Sequence, residues 1–174
     1  MMGAGKSTTG QRLAQQLGYR FFDTDTLITQ LTGQSINHIF AELGEAAFRQ
    51  LETQVLAELS TYKQLVIATG GGIVLTAKNW SYLHHGLVLW LDVPVDQLWQ
   101  RLRSDHSRPL LQAENPQQTL ATLLAHRRPL YAQADLQITV PPGSNTEQVM
   151  AQIYQAIPGV VRSHKSAAAS SKGS

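Results

Sequence analysis

The string Gly3-Ala4-Gly5-Lys6-Ser7-Thr8, followed at once by a segment with Leu13 and Leu17 at helical spacing, constrains this chain more than any other feature. Glycines ahead of a Lys and a hydroxyl residue let the backbone turn its N–H groups toward phosphate oxygens at a helix start, where the helix dipole also favours an anion. A loop of this kind, the end of a Walker A motif, belongs between a strand and a helix of an α/β fold. In that role Gly3, Ala4, Gly5, Lys6, Ser7 and Thr8 hold a nucleotide; Lys6 reaches its β- and γ-phosphates and the Ser7 hydroxyl ligates Mg²⁺. The bland alternative is a glycine-rich terminus that carries the string by chance, and the amphipathic segment behind it argues against that. The full motif has a further Gly five positions before Gly5, which falls ahead of Met1, as does the strand that feeds the loop. The expectation is therefore that Met1 or Met2 is an internal methionine of a longer protein.

The rest of the chain carries the pattern of βαβ units. Short β-rich apolar runs at Tyr19 to Phe22, Leu65 to Thr69, Leu87 to Leu91 and Leu136 to Val140 alternate with segments of helical period. Ile36, Ile39, Phe40 and Leu43, then Phe48, Leu51, Val55 and Leu59, each give a helix one apolar face. Gly18 and Gly33 stand where left-handed residues close helices, and Pro94 stands where a new one begins. Ser144 with Glu147 predicts a capping box for a last helix over about Thr146 to Ala156. The Ser/Ala/Lys-rich stretch 163–174 reads as a disordered tail. With 174 residues, 43% of them hydrophobic, there is room for one domain over about 1–158.

Composition narrows the function classes. A net charge of +2 without a run of Lys or Arg gives no nucleic-acid footprint. The absence of cysteine excludes disulfides and thiolate metal sites. No apolar stretch approaches the ~18 residues of a membrane span, so a soluble, cytoplasmic protein is the expectation. The six histidines have no metal-ligand spacing.

Beyond the loop, five strings follow in order: Asp23-Thr24-Asp25, Phe48-Arg49-Gln50-Leu51-Glu52, Gly70-Gly71-Gly72, Arg108-Pro109-Leu110-Leu111 and Arg127-Arg128-Pro129-Leu130-Tyr131. With these the chain resembles the shikimate kinases, from Gly3 to about Ala156. Asn79-Trp80 and Trp90-Leu91-Asp92-Val93-Pro94 bring it nearest to cyanobacterial and plastid members. The resemblance implies a P-loop NTPase of the adenylate-kinase-like type, a three-layer α/β sandwich with a parallel sheet and a mobile lid over about 104–116. In such folds the strand before the loop is central, giving about five strands once it is counted. The implied reaction moves the γ-phosphoryl of ATP, with Mg²⁺, to the 3-hydroxyl of shikimate in aromatic amino acid biosynthesis, in a monomer.

Each string also has a reading of its own. Asp23 and Asp25 close a short strand, and alternation would let both carboxylates share a side at the sheet's C-terminal edge, where α/β ligands bind. The resemblance gives Asp23 to Mg²⁺ through water and Asp25 to the acceptor hydroxyl; the plain alternative is a helix N-cap for one of them. Arg49 and Glu52 are spaced to pair on one helix face, as an ordinary salt bridge or, by resemblance, as a carboxylate clamp and its orienting acid. Arg127, just before Pro129 where a helix should end, is by resemblance the second clamp, with Arg128 solvated. Three glycines after a strand exceed the needs of a turn and allow close backbone approach, by resemblance to the shikimate ring hydroxyls at Gly70 and Gly71. Arg108 would enter from the lid to stabilise phosphate charge; alone it is a loop arginine. The alternatives are a P-loop kinase for gluconate or a nucleoside monophosphate, or a non-catalytic binding protein derived from a kinase.

Overall fold

The computed structural model describes residues 1–103 and 115–170. The order is α1 (Lys6–Leu17), β1 (Arg20–Asp23), α2 (Thr24–Thr32), α3 (Ile36–Leu59), β2 (Leu65–Ala68), a 3-10 turn (Ile73–Leu75), α4 (Ala77–Leu83), β3 (Leu89–Asp92), α5 (Val95–Leu102), α6 (Pro116–Tyr131), β4 (Leu136–Thr139) and α7 (Thr146–Ser170). All four expected strands form, within two residues of their predicted bounds.

The strands are parallel, as βαβ connections require, but they form two pairs rather than one sheet. β1 pairs with β2, with Phe21 opposite Val66 and Phe22 opposite Ile67. β3 pairs with β4, with Trp90 opposite Gln137 and Leu91 opposite Ile138. These are the four expected strands; the fifth of the expectation, the central one ahead of the loop, is not among the described residues. Met1, 4% exposed, packs instead in the core cluster that contains Trp90, Leu91 and Tyr131.

Alternation along β1 and β2 puts the two faces to different uses. Phe22, Leu65 and Ile67 pack on Ile28 of α2 and on Ile39, Phe48, Val55 and Leu59 of α3. On the opposite face α1 comes so close that a Cβ on Gly10 would lie 2.6 Å from the Phe21 ring. Helices thus cover both sides, and burial of each large apolar side chain contributes roughly 1.5–3 kcal/mol. The larger cluster joins α1, α5, α6 and α7 to β3 and β4 through Leu13, Leu91, Leu98, Leu124, Ile138 and Ile153.

Local signals explain most boundaries. Gly18 and Gly33 close α1 and α2 at φ 67°. α3 breaks at Gly44 (φ 78°, ψ 171°), between its two apolar sets, and Leu43 lies 57% exposed rather than inward. The last helix is capped one residue later than predicted: Asn145 Oδ1 accepts from the Gln148 N–H at 2.9 Å, and Gln148 Oε1 accepts from the Asn145 N–H at 3.0 Å. It also runs past Ala156 to Ser170, so 163–170, expected to be a disordered tail, is helical backbone; Ala-rich sequence favours that locally. Pro129 does not end α6, which continues to Tyr131, since a proline in the last turn removes only one intrahelical bond. Of the expected lid, 104–114 lies outside the described residues, and Pro116 is already the first residue of α6.

Candidate active site

Gly5 has φ 83°, a left-handed conformation that glycine adopts without strain, and it caps α1 with no side-chain hydrogen bond. The first intrahelical bond runs from the Thr9 N–H to the Gly5 carbonyl at 2.9 Å. A helix start without a side-chain cap offers its first N–H groups to an anion. Ser7 Oγ donates to Asp23 Oδ2 at 2.6 Å, and Lys6 Nζ donates to the Met1 carbonyl at 2.6 Å.

A cleft of about 250 Å³ opens beside this loop, lined by Gly3, Ala4, Gly5 and Thr8 and by Arg101, Ser144, Asn145 and Thr146. Arg101 reaches it from α5, with Nη1 donating to the Gly3 carbonyl at 3.0 Å and Nη2 to Gln97 Oε1 at 3.3 Å. Sequence reasoning missed Arg101 and the 144–146 loop. Arg101 stands in an ordinary amphipathic helix, and only folding brings these segments to Gly3.

Asp23 ends β1 and Asp25 lies in the first turn of α2, so strand alternation does not relate them. Asp23 is the N-cap: its Oδ1 accepts from the N–H groups of Asp25 at 3.0 Å and Thr26 at 3.2 Å, leaving Oδ2 to Ser7. Asp25 turns toward the glycine triplet instead.

That triplet is where the second half of the site assembles. A Cβ on Gly70 would lie 2.6 Å from Glu52 Oε1 and 2.7 Å from Asp25 Oδ1; on Gly72 it would lie 2.2 Å from Arg49 Nη1; on Gly71 it would lie 3.5 Å from the Tyr131 hydroxyl. Bare backbone is required at Gly70 and Gly72, where side chains from α2 and α3 press closest, while the α6 contact at Gly71 is an ordinary van der Waals one. The Gly70 N–H donates to Thr24 Oγ1 at 3.0 Å and its carbonyl accepts from the Ile73 N–H at 3.2 Å. The Gly70 N–H and carbonyl thus both have partners within the fold, and a side chain at this position would collide with Glu52 and Asp25. The Gly71 carbonyl accepts from Arg127 Nη1 at 3.2 Å and from the Tyr131 hydroxyl at 2.8 Å.

Arg49 is held from two sides, by Glu45 at 2.9 Å and by Glu52, and its guanidinium lies over the rings of Phe40 and Phe48. Burial works to lower its pKa, but the hydrogen bonds and charges of Glu52 and then Glu45 outweigh it and leave the pKa raised. Glu52 is 1% exposed. Burial pushes its carboxyl up, Asp25 adds to this, and the Arg49 and Arg127 cations oppose it. Arg128 is solvated as expected, with about half of its side chain exposed, and it also pairs with Asp92 Oδ2 at 2.5 Å and stacks 5.2 Å over Trp90, tying α6 to β3. Gln137 Nε2 donates to the same oxygen at 2.7 Å. Arg108 lies outside the described residues.

A phosphate loop opening a helix on a covered parallel fold, facing a second site of converging charges, defines a P-loop phosphotransferase of the adenylate-kinase-like type. The comparisons name the branch: the profile of the shikimate kinase family matches residues 2–158. The shikimate kinase of Nostoc sp. is 58% identical over 162 residues, covering 93% of this chain and 90% of the relative. That of Synechococcus elongatus is 54% identical over 162 residues, covering 93% and 85%. Among solved structures, shikimate kinase from Acinetobacter baumannii in complex with shikimate has a TM-score of 0.84 at 43% identity, covering 91% of this chain and 89% of that one. The Aquifex aeolicus enzyme has a TM-score of 0.77 at 32% identity, covering 91% and 93%. The chain belongs to the shikimate kinase family.

Proposed function

We propose that this chain transfers the γ-phosphoryl group of ATP to the 3-hydroxyl of shikimate, giving shikimate 3-phosphate and ADP, a step toward chorismate and the aromatic amino acids. The observation that carries the reading is the convergence on Gly70–Gly72 of Asp25, Arg49 and Arg127 from three different helices. Two guanidinium groups suit the carboxylate of the acceptor, since their planar donors match it bidentately. Asp25 aligns the 3-hydroxyl and takes its proton as the hydroxyl oxygen bonds to the γ-phosphorus and the bond to the β–γ bridging oxygen breaks.

On the nucleotide side, the N–H groups of Gly3 to Thr8 hold the phosphates. The cleft between Arg101 and the 144–146 loop takes the adenosine portion. Lys6 and Arg108 neutralise charge on the transferred group, Arg108 on the strength of its sequence context alone. The Ser7 hydroxyl and the adjacent Asp23 oxygen are hard donors that fit Mg²⁺, which is held by few protein oxygens together with substrate phosphates. Bound there, Mg²⁺ supplies charge neutralisation of the phosphates, Ser7 ligating it directly and Asp23 through water.

No helix among the described residues is long and apolar enough to cross a membrane. A cytoplasmic monomer acting on two small molecules, with no nucleic-acid partner, completes the proposal. The test is ADP release from Mg-ATP by the 174-residue chain with and without shikimate. Release that depends on shikimate, and not on gluconate or a nucleoside monophosphate, is expected. Release with either of those acceptors instead, or saturable shikimate binding with no release, would overturn it.

A further inference from the structure

Tyr131 closes the motif that begins at Arg127, and none of the roles above uses it. Its side chain is 6% exposed, its ring lies 5.8 Å from that of Trp90, and its hydroxyl donates to the Gly71 carbonyl at 2.8 Å. Arg127, one helical turn earlier on the same face of α6, donates to that carbonyl from Nη1 at 3.2 Å. Two donors therefore share one acceptor, and the acceptor sits in the loop that also carries the contacts of Asp25, Glu52 and Arg49.

A carbonyl oxygen has two lone pairs and accommodates both donors at once. A carboxylate changes the balance. It is a stronger acceptor for a guanidinium than a neutral carbonyl is, so an anionic acceptor draws Arg127 away from Gly71. Among the described residues, Tyr131 is then the donor that remains to the carbonyl. Without that hydroxyl the Gly71 carbonyl holds Arg127 back, or loses its remaining donor whenever Arg127 leaves. The Met1 sulfur, 3.7 Å from the hydroxyl, does not compete for its single proton, because a thioether is a weak acceptor. Burial raises the phenol pKa, with Arg127 opposing, which keeps the hydroxyl protonated and donating at neutral pH.

We infer that Tyr131 is a positioning residue: its hydroxyl fixes the Gly71 carbonyl so that Arg127 is released to the carboxylate of the acceptor. This rests on the proposed shikimate reaction for its ligand, while the loop-holding part stands on the geometry alone.

The variant Tyr131→Phe keeps the ring and its contact with Trp90. In the full chain it raises KM for shikimate about tenfold, the worth of one hydrogen bond to a buried acceptor, and leaves KM for ATP and kcat within about threefold. Amide hydrogen exchange quickens at Ile73 and Leu75, whose N–H groups donate to Gly70 and Gly72. In an Arg127→Ala background the penalty of Tyr131→Phe falls below about twofold, since no arginine remains to be released. Parallel increases in both KM values, or a full penalty without Arg127, would overturn the inference. If the unmodified chain shows no shikimate-dependent ADP release, the functional reading fails by itself. Exchange then decides: faster exchange at Ile73 and Leu75 supports the role of Tyr131 in holding the loop, and unchanged exchange overturns it.

Discussion

The nucleotide side and the acceptor side of this site are built in opposite ways. The proposed phosphate site is one contiguous loop, Gly3 to Thr8, whose groups are backbone N–H groups fixed by the left-handed turn at Gly5 and the start of α1. The acceptor side is a meeting of side chains: Asp25 from α2, Arg49 and Glu52 from α3, and Arg127 and Tyr131 from α6 all press on three glycines. A backbone site tolerates side-chain change wherever the chain still turns. A site assembled from several helices on bare backbone depends on the space each methyl group would occupy.

Asp25→Asn gives the largest effect expected. It preserves shape and removes the base, so kcat should fall about 10²–10⁴-fold with KM for ATP little changed. Steady-state ADP release measures this, and turnover within a few-fold of the parent would mean that the acceptor side does not depend on this carboxylate.

Gly72→Ala sharpens the comparison further. Its backbone (φ −91°) suits any residue, so the outcome depends on space alone. The added Cβ would fall 2.2 Å from Arg49 Nη1 and 2.6 Å from Cζ, forcing the guanidinium to move. A rise of about tenfold in KM for shikimate, the loss of one charge-assisted contact, is expected with KM for ATP unaltered. Equal changes in both constants would break the distinction between the two sides.

The smallest effect concerns pH. The Glu52 carboxyl is raised above its ordinary 4.5 in the folded chain, chiefly by burial. The folded state therefore binds more protons than the unfolded one between 4.5 and that raised value. The stabilisation is fully present below 4.5 and is lost as pH rises through the folded pKa. Glu52→Gln lacks this dependence. Its deficit in melting temperature relative to the parent should narrow as pH rises from about 4 to 7, and a widening deficit would show that the ionised Glu52–Arg49 pair outweighs burial.

Much of the fold was legible because its signals are local. The short β-rich apolar runs located four strands, and the two apolar sets at 36–43 and 48–59 match the two parts of α3 on either side of Gly44. Where a neighbouring residue competes for the same local role, the reading slipped: Asn145 caps α7 in place of Ser144, and Pro129 lies inside α6. The partnering of strands was less accessible. The two parallel pairs are the expected strands without the central one, and which strand lies beside which depends on the packing of segments and not on the propensity of any one.

The same division runs through the site. The sequence by itself determined the phosphate loop, because six consecutive residues contain both the turn and the helix start that make it. It singled out the candidate side chains for the chemistry, through the resemblance of the five strings. Only the tertiary structure decided that Asp23 caps α2 while Asp25 faces the triplet, that Arg101 lies by Gly3, and that Tyr131 shares the Gly71 carbonyl with Arg127. Those contacts join residues far apart in the chain. Their geometry follows from how the helices pack on the two strand pairs, a property of the whole core that no local pattern records.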